Sequence, residues 1–232
     1  MMQPITTQPG GPPMGMVPLN VPPGLEYLTQ LDMLLVKQKF EGLEAFLGFE
    51  TQNKYSIRNS MGQDVYKAKE DSDCCSRMMC GNIRPFSVFV KDFQDQEVMV
   101  FSRPFNCCLQ SIEVQSPPGT VIGSIQQECT LCSSEFIVYD QSDNPTLRIS
   151  GPASCFAFSL CGDVEFQVLT GDGSTEIGKI TKQWSGFLRE GFTDADNFGI
   201  SFPIDLDVRM KATLLGALFL IDFMFFEKSS ND

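Results

Sequence analysis

Asp194, Asp196, Asp205 and Asp207 fall within fourteen residues, a density of carboxylates that could hold a hard divalent cation. With Asp194 as position 1 of a twelve-residue loop, Asp196 takes position 3, Phe198 5, Gly199 6, Ile200 7, Phe202 9 and Asp205 12. Glycine at 6 and a backbone carbonyl at 7 suit an EF-hand. Phenylalanine at 5, the short aspartate at 12 and the lack of flanking helices do not. Three side-chain carboxylates predict weak calcium binding, roughly 10⁻⁴–10⁻³ M. The same residues also read as a strand, because Phe198, Ile200, Phe202 and Ile204 alternate, with Asp194 and Asp196 in the turn before them. The two readings are partly compatible, since carboxylates at a strand edge can still hold calcium.

The second chemical resource is nine cysteines, in the groups Cys74, Cys75, Cys80; Cys107, Cys108; Cys129, Cys132; and Cys155, Cys161. Cys74, Cys75 and Cys80 with the Cys129-x-x-Cys132 pair could ligate zinc, but two paired knuckles are missing and no histidine completes a mixed set. Small, buried, unreactive thiols are the better reading. A chain of 232 residues needs no disulfides to hold its core, and residues 1–15 have neither the basic nor the apolar region of a secretory signal. A reducing, cytosol-facing compartment is expected.

The absence of histidine removes Ser-His-Asp and Cys-His catalysis and the common zinc-hydrolase ligand sets, so no enzyme is expected. With 29 acidic against 17 basic residues, the net charge of −12 repels phosphate backbones, and nucleic acid is an unlikely partner. It also repels anionic lipid headgroups unless a divalent cation intervenes.

These groups must be positioned by elements that the sequence announces in three parts. Residues 1–23 hold seven of the fourteen prolines and no charge, which predicts a flexible Pro/Gly-rich tail. Its Pro9-Gly10-Gly11-Pro12 is a weak docking motif for a protein partner, because glycine spoils the polyproline helix. A short helix is expected from Gly24 to Leu31, with Leu25, Leu28 and Leu31 on one side. From Met33 to Pro203 the dominant signal is strand. Alternation is visible at Tyr55–Ile57, Val65–Ala68, Val88–Phe93, Val98–Phe101, Ser111–Gln115, Val121–Ile125, Phe136–Tyr139, Leu147–Ile149, Phe156–Phe158, Val164–Val168 and Ile177–Ile180. Turn chemistry separates the runs at Asn59–Gly62, Pro117–Gly119, Ser142–Pro145 and Gly171–Gly173. About a dozen short strands at this spacing predict an antiparallel sandwich or closed barrel.

Residues 210–226, MKATLLGALFLIDFMFF, are apolar on every face, so this helix must be surrounded by lipid or by protein. The fifteen residues Ala212–Phe226 span about 22 Å at ~1.5 Å per residue. A bilayer core is about 30 Å thick, and Asp222 inside it adds roughly 3 kcal/mol. A helix threaded through a β-barrel is therefore favoured over a membrane span.

Four stretches carry a likeness to a known family: Pro23–Leu28 (PGLEYL), Gly48–Tyr55 (GFETQNKY), Phe192–Val208 (FTDADNFGISFPIDLDV) and Phe219–Glu227 (FLIDFMFFE). Together they resemble the phospholipid scramblases over nearly everything after the proline-rich tail. The resemblance implies an all-β, tubby-like domain over residues 24–227, a closed antiparallel barrel of about twelve strands around the hydrophobic C-terminal helix, with 228–232 as a short tail. It implies calcium-stimulated, ATP-independent, bidirectional movement of phospholipids between leaflets, with calcium as cofactor and the phospholipid membrane as partner. Family members are described as single-pass type II proteins of the plasma membrane, spanning with that helix. A core helix would instead leave a membrane-tethered lipid-sensing or adaptor module. Direct scrambling by one short helix would require a homo-oligomer or local bilayer thinning. Where scramblases carry a longer palmitoylated cysteine run, this chain has only Cys107-Cys108; two acyl chains suffice for anchoring and one is marginal. Ordinary free cysteines at a strand start are the alternative. Gly178–Gly186 corresponds to an unconventional nuclear-import segment of some scramblases, but here it holds two lysines and reads as a strand, with Trp184 as a wall residue.

Overall fold

The computed structural model describes residues 21–39, 53–73, 80–130, 133–152, 164–182 and 197–226. Twelve strands form one closed barrel: β1 Met33–Lys39, β2 Lys54–Arg58, β3 Asp64–Asp71, β4 Phe86–Lys91, β5 Glu97–Arg103, β6 Ser111–Gln115, β7 Val121–Gln127, β8 Glu135–Asp140, β9 Pro145–Ser150, β10 Glu165–Thr170, β11 Glu176–Lys182 and β12 Asn197–Ser201. Each strand pairs antiparallel with its neighbours in sequence, and β1 closes the ring on β12 through Met33↔Ser201 to Lys37↔Asn197. Of the predicted runs, ten lie on β2 to β11, while Phe156–Phe158 falls outside the described residues. The run at Val88–Phe93 stops at Lys91, because Asp92 accepts hydrogen bonds from the Gln94 and Gln96 amides and turns the chain.

Alternation places Ile112 and Val114, Phe166 and Val168, and Val88 and Val90 inside the barrel. Turn chemistry acts where the sequence placed it. The Asn59 carboxamide oxygen accepts from the Met61 and Gln63 amides, and Gly62 supplies the positive φ of 76° that a side chain resists. The expected helix before β1 is a 3-10 helix, Glu26–Gln30, and its Leu25, Leu28 and Leu31 are all buried.

The barrel's core is a helix, α1, Val208–Phe225. Asp207 caps it by accepting from the Arg209 amide at 2.8 Å. Every residue from Met210 to Phe223 is buried, as a helix with no polar stripe requires. It lies closest to β6 and β7, and glycines make that approach feasible. A Cβ on Gly216 would stand 2.5 Å from Val114 Cγ2, and one on Gly123 would stand 2.5 Å from Thr213 Oγ1. Phe219 packs edge-on to Tyr55 with centroids 5.0 Å apart, and Phe223 stacks on Phe86 at 4.0 Å. No helix among the described residues is long and apolar enough to cross a membrane. Of the two environments open to residues 210–226, the structure provides protein.

Lys211 is the one buried lysine among the described residues. Its Nζ donates to the Leu28, Leu31 and Ile204 carbonyls at 3.0, 2.7 and 2.6 Å and lies 5.3 Å from the Phe202 ring centroid. Three acceptors need three N–H donors, which only the ammonium form has. Burial lowers its pKa, partly offset by Asp32 and Asp205. The lysine thus ties the N-terminus of α1 to the 3-10 helix and to the turn after β12. Lys211→Met leaves those carbonyls without their donor and is expected to cost about 2–4 kcal/mol in chemical denaturation. An unchanged midpoint would contradict this tie.

Candidate functional site

The β5–β6 loop, residues 104–110, rests on a buried clip. Arg103, ending β5, donates through Nε and Nη2 to Gln110 Oε1 at 3.1 and 2.6 Å, and both residues are almost fully buried. Gln110 Nε2 donates to the Asn106 and Cys108 carbonyls, and its backbone amide donates to Gln127 Oε1 on β7. The Arg103 guanidinium lies over Phe86, the ring stacked on Phe223, so the clip connects the loop to the C-terminal part of α1. With its base held, the loop turns Phe105, Cys107, Cys108 and Leu109 outward; Phe105 is 55% and Leu109 46% exposed. Two exposed apolar side chains flanking two exposed thiols form a tip suited to an apolar environment or to acylation.

The Cys107 and Cys108 sulfurs are 3.7 Å apart. Hydrogen bonding to Cys107, and the charge Cys107 carries as a thiolate, raise the Cys108 pKa above its ordinary value. Its thiolate fraction at neutral pH is therefore reduced.

The carboxylates sit differently from a closed loop. Phe198 and Ile200 lie on β12, paired with β1 and β11, and both are buried, as is Phe202 just beyond it. The twelve-residue register thus runs along an extended strand over Asn197–Ser201, which spans about 13 Å at ~3.3 Å per residue. Asp205 is exposed in the turn after the strand, and Ile204, 59% exposed, leaves the alternation. Asp205 and Asp207 line a surface cavity of about 310 Å³ with Thr29 and Arg209. Asp194 and Asp196 lie outside the described residues. Among the described residues no group of three histidine, cysteine or acidic side chains is arranged to hold a metal.

The remaining sequence candidates are dispersed. Cys80 is half-buried and Cys129 exposed, both free, so Cys129 departs from the buried-thiol expectation. Cys74, Cys75, Cys132, Cys155, Cys161 and Trp184 lie outside the described residues. Lys179 and Lys182 are wall residues of β11. Lys179 pairs with Glu165 at 2.9 Å, and Lys182 lies over the Phe226 ring at 4.7 Å, at the C-terminal end of α1. Sequence reading missed Lys211 and the Arg103–Gln110 clip. The signal available for Lys211 was a charge inside an apolar run; the clip needed the β5–β6 pairing. Site-resolved thiol labelling tests the cysteine pair: Cys107→Ala should move the Cys108 midpoint to lower pH, and an unmoved midpoint would contradict the pairing.

Over residues 12–228 the chain matches the family model described as Scramblase. It is 51% identical to phospholipid scramblase 1 of Mus musculus, with 99% of this chain and 74% of that protein aligned. It is 49% identical to phospholipid scramblase 2 of Bos taurus, over 99% of this chain and 82% of that protein. Human phospholipid scramblase family member 5 is 44% identical, over 91% of this chain and 80% of its own length. A family match from before the barrel to just past its core helix, with relatives this similar along nearly the whole chain, places the protein in the scramblase family.

Proposed function

We propose that this chain is a phospholipid scramblase, a membrane-associated protein at the cytoplasmic face of the plasma membrane that promotes calcium-stimulated, ATP-independent movement of phospholipids between leaflets. The observation that carries the reading is the end-to-end similarity to relatives named phospholipid scramblase. The exposed tip Phe105–Leu109 supports it as the membrane tether, with Cys107 and Cys108 as its acylation sites. Calcium would be held weakly by the carboxylates of Asp194 and Asp196, with Asp205 a separate acidic position beyond β12, because that extended strand of about 13 Å parts the two ends of the twelve-residue run further than the ligands of one ion can reach. Bound there, it supplies positive charge that lowers the repulsion between an acidic protein and anionic headgroups.

With α1 filling the barrel, a lipid headgroup has no path through its centre. Lipid movement by this fold runs along the outer surface, aided by local thinning or by a homo-oligomer. The buried helix equally favours a second reading, a membrane-tethered tubby-like module that senses lipid or recruits partners without scrambling.

Purified protein in vesicles of pure lipid separates the two. The scramblase reading expects calcium to accelerate loss of leaflet asymmetry, half-maximally at roughly 10⁻⁴–10⁻³ M. Asp194→Asn with Asp196→Asn should abolish the response. Vesicles that bind the protein but keep their asymmetry at saturating calcium would leave only the second reading.

A further inference from the structure

On the outer wall of β1–β4 the strand register assembles a concentration of cations that the overall charge conceals. One cross-strand row runs Lys39, Lys54, Lys69 and Phe89, each directly opposite the next on β1, β2, β3 and β4. The adjacent row runs Lys37, Ser56, Lys67 and Lys91 on the same four strands. Lys39, Lys67, Lys69 and Lys91 are exposed, and Lys37 and Lys54 are half-buried. Five of these lysines line an open cavity of about 410 Å³, where Phe89 contributes an apolar patch and, among the described residues, only Asp95 and Glu97 are acidic.

Six of the 17 basic residues therefore share one wall of a protein whose net charge is −12. Like charges directly opposite across a strand pair are destabilising. Counter-charge on this wall is local: Asp64 pairs with Arg58 at 2.6 Å, and Glu97 stands opposite Lys91. Lys39, Lys54 and Lys69 stand side by side on three adjacent strands, a row against which a polyanion can lie. The rows cross four strands, about 14 Å at ~4.8 Å per spacing, so the partner is an extended anionic surface.

We propose that this wall is a calcium-independent docking face for the anionic surface of a phospholipid bilayer, with lysine ammonium groups against headgroup phosphates and carboxylates. The inference rests on the membrane reading above and deepens it by naming the surface that meets the leaflet. It also reconciles an acidic protein with an anionic membrane, because the barrel can approach with one wall only.

The test is sedimentation with phosphatidylcholine vesicles, with or without phosphatidylserine, in chelator and at two ionic strengths. Wild-type protein should bind only the serine-containing vesicles, more weakly at higher salt. Lys69→Glu should weaken binding about five-fold or more, the worth of one basic residue near an anionic surface, and Lys67→Glu with Lys69→Glu further. Lys179→Glu, an equal charge change on another wall, should weaken it less. The melting temperature of Lys69→Glu should match or exceed wild type, since a like-charge contact is removed. The proposal is overturned if wild-type protein ignores phosphatidylserine in chelator, or if Lys179→Glu weakens binding as much as Lys69→Glu. Capture of soluble inositol hexakisphosphate by the same lysines without vesicle binding would overturn it in favour of a soluble ligand. None of these readouts requires lipid to change leaflet. A chain that docks but does not scramble therefore refutes the scrambling reading alone, and one that scrambles without docking in chelator refutes the docking face alone.

Discussion

A helix that is apolar on all sides and a barrel whose inward residues are large and apolar can each be stable only around the other. Leu214, Leu215, Leu218, Phe219, Leu220, Ile221 and Phe223 are all buried against the barrel wall. At roughly 1.5–3 kcal/mol for each such side chain, these seven contribute on the order of 10–20 kcal/mol. A whole domain is stable by only about 5–15 kcal/mol. Withdrawing α1 into a bilayer would keep its apolar faces from water, at the cost of burying Asp222 in lipid, and would leave Val114, Phe101 and Tyr55 lining an empty lumen. Lys211 adds to the restraint, since its three carbonyl partners lie in segments outside the helix. The helix is part of the fold before it can be part of any membrane mechanism.

Much of this fold was legible in the sequence because period-two alternation and turn chemistry are local signals. Ser111–Gln115 and Val164–Val168 alternate cleanly, and they give β6 and β10, each with one face in the core. Strand β1 was harder to single out. Its outward Leu35 breaks the polar half of the pattern between Leu34 and Val36, which point inward. The fate of residues 210–226 followed from length and from Asp222, because a span needs more apolar residues than this run supplies. The 3-10 geometry of Glu26–Gln30 was not legible; the spacing of Leu25, Leu28 and Leu31 fits a tighter turn as well as an α-helical one.

The site was legible only where chemistry is local. Cys107-Cys108 could be marked from sequence, but the exposure of the tip depends on Arg103 meeting Gln110, a contact between the last residue of β5 and the last residue of the loop. Around Asp194–Asp205 the loop-like spacing and the strand-like alternation competed. Over Asn197–Ser201 the ladders with β1 and β11 give the strand. The lysine rows are invisible in one dimension. Lys39, Lys54 and Lys69 stand fifteen residues apart, and only the hairpin registers place them side by side.

The filled barrel presents three distinct surfaces: an apolar, thiol-bearing tip on the β5–β6 loop, a lysine-rich wall over β1–β4 and an acidic turn after β12. The central claim is that α1 stays inside the barrel while the protein is on a membrane. Disulfide trapping tests it most directly. The Gly216 Cβ position lies 2.5 Å from Val114 Cγ2, close enough for bonding geometry after Val114→Cys and Gly216→Cys. The account predicts that membrane-bound protein, mildly oxidised with and without calcium, yields the 114–216 cross-linked peptide in mass spectrometry as efficiently as protein in solution. A cross-link that forms in solution and disappears on vesicles would mean that the helix has left the barrel for the bilayer, and would contradict it.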